Sequence, residues 1–203
     1  MISAIPCESV PGHLDFRHLK SIANVDIDLR YATTHNFVGR DLYSPLDCAW
    51  LHRQAAEGLE AAYAWLKSQR TDVRFLVLDA MRPQRVQEEL WEALRGTGLQ
   101  MYLANPERGS IHSFGMAVDI TLIDADGREA DMGTPFDDLT ALSHPAKEAA
   151  FLADGALSQH QIDNRRLLRD AMSHGEFSGI NTEWWHFDCG DRLDVRNNFA
   201  RIL

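Results

Sequence analysis

Apolar residues recur at three- and four-residue steps from Leu51 through Ala55, Leu59, Ala62 and Leu66, the spacing of one face of an α-helix. The turn-rich run Tyr43-Ser-Pro-Leu-Asp47 predicts the entry to that helix. Val73 to Leu78 is a short β-prone stretch, ended by Asp79-Ala-Met-Arg82-Pro83. Pro83 suits the first turn of a second helix, which carries Val86, Leu90 and Leu94 and stops at Gly96. Residues 98–106 read as loop or a short helix. From Met116 the chain alternates, with Met116, Val118, Ile120 and Leu122 on one face and Ala117, Asp119 and Thr121 on the other. Asp124-Ala-Asp-Gly127 then turns it. Ser158-Gln-His-Gln161 has the form of a capping box, opening a helix through Leu167, Leu168, Ala171 and Met172 that Gly175 closes. Trp184-Trp-His-Phe187 reads as a final β-like element.

Two or three helices mixed with short alternating strands predict an α+β fold. At 203 residues, 45% hydrophobic and 25% charged, the chain fills one core, and a single domain over 1–203 is expected. A net charge of −10 without a local basic run opposes nucleic acid and anionic membranes as partners. Cys7, Cys48 and Cys189 are odd in number and widely spaced, which indicates neither a disulfide framework nor a thiolate zinc cage. With no basic or long apolar segment at the start, the expected location is cytoplasmic. The oligomeric state stays open, a homo-oligomer included.

The candidate chemistry is split between two motifs. Ser110-Ile-His112-Ser-Phe-Gly115-Met-Ala117-Val-Asp119 is answered by Glu183-Trp-Trp-His186. His112, Asp119 and His186 offer two imidazole nitrogens and a carboxylate oxygen, a set that suits one Zn2+ per chain and leaves a fourth tetrahedral position for water. Glu183 is the candidate general base beside that water. In an ideal strand Glu183 and His186 point to opposite faces, so Glu183 is expected in the preceding turn delivered by Gly179-Ile-Asn-Thr182. Gly115 permits a close turn between His112, in a loop, and Asp119, on a strand.

With Asp-Leu-Arg-Tyr31-Ala-Thr-x-x-Asn36-Phe37-x-Gly39 upstream, these motifs resemble the D-alanyl-D-alanine dipeptidase family, zinc peptidases related to D,D-carboxypeptidases. The resemblance runs from about Asp28 to Phe187. It implies a small, mainly antiparallel sheet carrying the zinc site with helices packed around it. It also implies that His112, Asp119 and His186 bind zinc, that Glu183 is the base, and that Arg82 stabilises the transition state. Asp137, in Met132-Gly-Thr-Pro-Phe-Asp137, would meet the free amine of a small dipeptide. Ser110 and Tyr31 would hydrogen-bond its carboxylate or backbone. Met81 departs from relatives that carry an aromatic residue before the Arg-Pro pair. The alternatives are a peptidoglycan D,D-carboxypeptidase or endopeptidase of the same superfamily, and a non-catalytic zinc-stabilised binding module.

Overall fold

The computed structural model describes residues 4–203. In chain order the elements are β1 (Ala4–Ile5), β2 (Phe16–His18), β3 (Val25–Ile27), β4 (Trp50–His52), α1 (Arg53–Gln69), β5 (Val73–Asp79), α2 (Gln84–Ala93), β6 (Ala117–Asp124), α3 (Glu148–Asp154), α4 (Gln159–His174), β7 (Phe177–Gly179), β8 (His186–Cys189), α5 (Arg192–Asn198) and β9 (Arg201–Ile202). The fold is α+β. A five-stranded sheet runs in the order β3-β5-β6-β8-β7. Its β3–β5 pair is parallel and its other pairs are antiparallel. Two small ribbons, β1 with β9 and β2 with β4, complete the strands.

The first apolar stripe divides between two elements. Leu51 lies in β4, paired with β2, and His52 caps α1 by accepting from the Gln54 N–H at 3.3 Å. The strand ribbon therefore claims the first residue of a pattern that reads as helix throughout. The rest of the stripe, Ala55, Leu59, Ala62 and Leu66, is buried as expected. Pro83 stands at the N-cap of α2, one position before the first turn. At α4 the capping box forms in both directions, Ser158 Oγ accepting from the Gln161 N–H and Gln161 Oε1 from the Ser158 N–H. Alpha helices α1 and α4 cross with almost no spacer: a Cβ on Gly58 would lie 2.4 Å from the carbonyl oxygen of Gly175.

Strand β6 sits second from neither edge but in the middle of the sheet, and its residues from Ala117 to Ile123 are buried on both faces. Alternation puts Asp119 on the face opposite Val118 and Ile120. That polar face is covered by irregular segments bearing Tyr31, Tyr43 and the short turn Ile111–Phe114. Gly115 closes the turn at φ +65°, and a Cβ there would come within 2.9 Å of the His52 nitrogen. Among the described residues no helix is long and apolar enough to cross a membrane.

Candidate active site

Sheet register builds the centre of the site. Asp119 on β6 is the cross-strand partner of His186 on β8 and, across the other edge, of Asp79 on β5. Directly opposed residues share a face, so these three side chains form a row across adjacent strands. His112 reaches the row from the turn before β6. Its Nε2 lies 3.1 Å from His186 Nδ1 and 3.3 Å from Asp119 Oδ1, and His186 Nδ1 lies 3.0 Å from Asp119 Oδ1. One ligand atom from each of the three falls within 4.8 Å of the others, the span a single cation can bridge. Glu183 lies in the turn before β8 rather than on it, as its odd spacing from His186 requires.

The far nitrogen of each imidazole is already held. His112 Nδ1 is 2.7 Å from the Ala80 carbonyl oxygen, to which it donates. His186 Nε2 is 2.8 Å from Asp188 Oδ1, and Asp188 Oδ2 accepts from Arg192 Nε at 2.5 Å. Such partners set the tautomer and aim the inner nitrogen at a metal. Burial opposes charge on Asp119, yet the imidazoles of His112 and His186 outweigh it and hold the carboxyl well below the usual range. Burial likewise opposes charge on His186, but Asp188 and Asp119 push its proton affinity well up. The proton held on His186 thus stands where a divalent cation would provide positive charge, and the donor set of two imidazoles and a carboxylate fits Zn2+.

Arg82 leaves β5 in the turn before α2, 5% exposed. Its Nε donates to Asp79 Oδ2 at 2.8 Å, Nη1 to Gln87 Oε1 at 3.0 Å and Nη2 to Asp119 Oδ2 at 3.2 Å. Its plane lies 5.0 Å from the Tyr31 ring centre, and Tyr43 O–H donates to the other oxygen of Asp79. The guanidinium is therefore a fixed positive charge beside the row.

A cavity of about 340 Å³ opens over the row, lined in part by Tyr31, Arg82, Ser110, Asp137, Glu183 and Trp185. Glu183 is 8% exposed, and burial pushes its carboxyl up to about 8. Asp137 adopts φ +61°, accepts from the Tyr31 hydroxyl at 3.0 Å and leaves Oδ2 buried without a partner. Burial raises its carboxyl to about 7. The segment presenting it is braced by Arg165, whose Nε donates to the Met132 carbonyl at 2.7 Å, and by Trp184, whose Nε1 donates to Thr134 Oγ1 at 2.8 Å. Cys189 is buried, unpaired and outside the three-ligand group.

The family model described as D-Ala-D-Ala dipeptidase, of the M15 peptidases, matches residues 13–202. The chain belongs to this family. A D-alanyl-D-alanine dipeptidase of Escherichia coli K12 is 34% identical over 165 residues, covering 81% of this chain and 79% of the relative. A D-alanyl-D-alanine dipeptidase of Enterococcus faecium is 32% identical over 185 residues, covering 81% and 85%. A solved structure of the LdcB LD-carboxypeptidase shares the fold at a TM-score of 0.50 and 14% identity, covering 98% of this chain and 81% of that one. Membership in the dipeptidase family makes the chain a peptidase.

Within this family member the structure brings together every residue singled out from the sequence: the candidate ligands His112, Asp119 and His186, with Glu183, Arg82, Asp137, Ser110 and Tyr31. It adds Asp79, Tyr43, Gln87, Asp188 and Arg192, which hold those side chains in place. Asp188 carried a readable signal, since two residues after His186 on a strand is the same face. The Tyr43 to Asp79 contact spans separate segments and carried none.

Proposed function

We propose that this chain is a Zn2+-dependent dipeptidase that hydrolyses D-alanyl-D-alanine to two molecules of D-alanine. One observation carries the metal assignment: the inner atoms of His112, Asp119 and His186 converge while the outer nitrogen of each imidazole is already bonded. The substrate comes from the named activity of the relatives, and the two charged ends of a dipeptide match groups in the cavity. The setting we propose is the cytoplasm, in keeping with the free cysteines, where the dipeptide would be a cell-wall precursor.

When bound, the cation would polarise the scissile carbonyl and lower the pKa of water. Glu183, in its ionised form, takes a proton from the attacking water and returns it to the departing amine. Arg82 sets its guanidinium against the negative charge that develops on the carbonyl oxygen, with no reorganisation because Asp79, Gln87 and Tyr31 hold it. Asp137, through its free Oδ2, accepts the substrate's ammonium, and Tyr31 steadies the other oxygen. Ser110, which also lines the cavity, hydrogen-bonds the substrate.

The deciding experiment pairs metal analysis with a substrate panel of D-alanyl-D-alanine, L-alanyl-L-alanine and a peptidoglycan stem peptide. Wild type is expected to carry one Zn2+ and to release alanine from the D,D dipeptide alone. The Glu183→Ala variant is expected to keep the metal and lose hydrolysis. Release from the stem peptide alone would turn the assignment to a peptidoglycan carboxypeptidase, and no release at all to a binding module.

A further inference from the structure

Three arginines, Arg108, Arg192 and Arg196, line the wall of the cavity next to β8 and α5. Arg192 is committed to Asp188. Arg196 is half-buried; its Nε donates to the Gly109 carbonyl at 3.1 Å and its Nη1 reaches only the Arg192 carbonyl at 3.5 Å. Arg201 stands behind them, donating to the Arg108 carbonyl at 3.1 Å and packing on Gly109. Among the described residues neither Arg108 nor Arg196 pairs with a carboxylate. Elsewhere in this acid-rich chain guanidinium groups do, as Arg17 with Glu60, Arg70 with Asp72 and Arg128 with Asp126. Burial and the positive charges of Arg108 and Arg192 lower the proton affinity of Arg196, and the carboxylate of Asp188 offsets only part of this. An anion entering the cavity would offset the rest.

Arg82 does not serve that anion: Asp79, Asp119 and Gln87 fix it beside the row of His112, Asp119 and His186, where the proposed function sets its charge against the scissile carbonyl oxygen. Nor does Tyr31, whose hydroxyl is given to Asp137. The cavity is therefore bipolar, with an unpaired carboxylate oxygen on Asp137 and unpaired guanidinium groups on Arg108 and Arg196 both lining it.

We propose that Arg196, assisted by Arg108, forms a subsite that binds the C-terminal carboxylate of the substrate and so selects a free dipeptide end over a blocked one. This rests on the dipeptidase assignment above. Arg196 supplies its outer guanidinium nitrogens while Gly109 fixes its inner one, and Arg108 adds charge from the cavity rim.

The test is steady-state hydrolysis by the zinc-loaded full chain of D-alanyl-D-alanine and of D-alanyl-D-alaninamide, for wild type, Arg108→Gln, Arg196→Gln and Arg196→Lys. Wild type is expected to favour the free acid, and Arg196→Gln to cut the acid-to-amide ratio of kcat/KM by about ten- to a hundredfold, chiefly through KM for the acid. Arg108→Gln should cut it less, and Arg196→Lys should retain part of it because the charge remains. Arg108 is exposed, so its variant serves should Arg196→Gln fail to fold. An unchanged ratio in the folded variants, or a wild type indifferent to the amide, overturns the subsite. If wild type releases alanine from neither compound, the dipeptidase assignment fails instead. Calorimetric binding of the same two compounds then judges the subsite, which stands if acid-dependent binding weakens in the variants and falls if binding is equal.

Discussion

Arg82 shows how much one side chain can be asked to do. It neutralises Asp79 and part of Asp119 inside the protein, where an unpaired charge is costly, and the same contacts leave its guanidinium immobile beside the reacting groups. A lysine keeps the charge but not the planar fork that reaches Asp79, Gln87 and Asp119 together. Arg82→Lys is therefore expected to lower kcat by about a hundred- to a thousandfold while zinc per chain stays unchanged, read by turnover and elemental analysis on one sample. Loss of zinc in step with activity would place Arg82 in ligand support instead. At this scale the sequence is informative because the chemistry is carried by local motifs: Glu183 and His186 are three residues apart, His112 and Asp119 seven. What supports them is less readable. Asp79 meets Tyr43 and Arg82 through the fold, and nothing in the run around Asp79 marks it as a brace rather than a strand end.

At the level of elements, β8 does two jobs through its period of two. His186 faces the candidate cation site and Asp188, on the same face, holds its outer nitrogen. Asp188→Asn keeps the shape and removes the charge, so zinc affinity should fall about ten- to a hundredfold in a chelator competition assay. Unchanged affinity would mean that Arg192, not His186, is the reason for that carboxylate. Long periodic elements were legible: α1, β5, α2, β6 and α4 all follow their apolar spacing or caps. Strands β1 to β4, β7 and β9 are two or three residues long, too short to show a period, and exist because tertiary pairing supplies their partners. The contact between α1 and α4 is a similar case. Gly58→Ala inserts a methyl 2.4 Å from the Gly175 carbonyl, and a loss of about 1–3 kcal/mol in denaturant unfolding is expected, with His112, Asp119 and His186 untouched. No loss would show that the helices separate freely.

For the whole molecule, the buried titrating groups give the metal-free protein a pH dependence of definite sign. Glu183 and Asp137 hold their protons up to about 8 and about 7, while the unfolded chain releases them at ordinary carboxylate values of about 4. His186 also keeps its proton above the ordinary histidine range because Asp188 and Asp119 surround it. His52 and His144, whose proton affinity burial lowers, oppose this below the ordinary histidine value. Glu183, Asp137 and His186 outnumber them, so between about pH 5 and pH 8 the folded state binds more protons than the unfolded one and stability falls as pH rises. Asp188, held down to about 2, and Asp119, lower still, act the other way only in acid, contributing above the ordinary carboxylate value and losing that contribution as pH falls toward 2. Chelator-treated protein should therefore melt at a higher temperature at pH 5 than at pH 8. A divalent cation competes with the His186 proton, so added zinc should raise the melting temperature more at pH 8 than at pH 5, narrowing or reversing that difference. Scanning calorimetry of stripped and zinc-loaded samples across this range checks both. A stripped protein that grows more stable toward pH 8 would show that these groups sit ionised in the fold, and that the cavity is wetter than its burial implies.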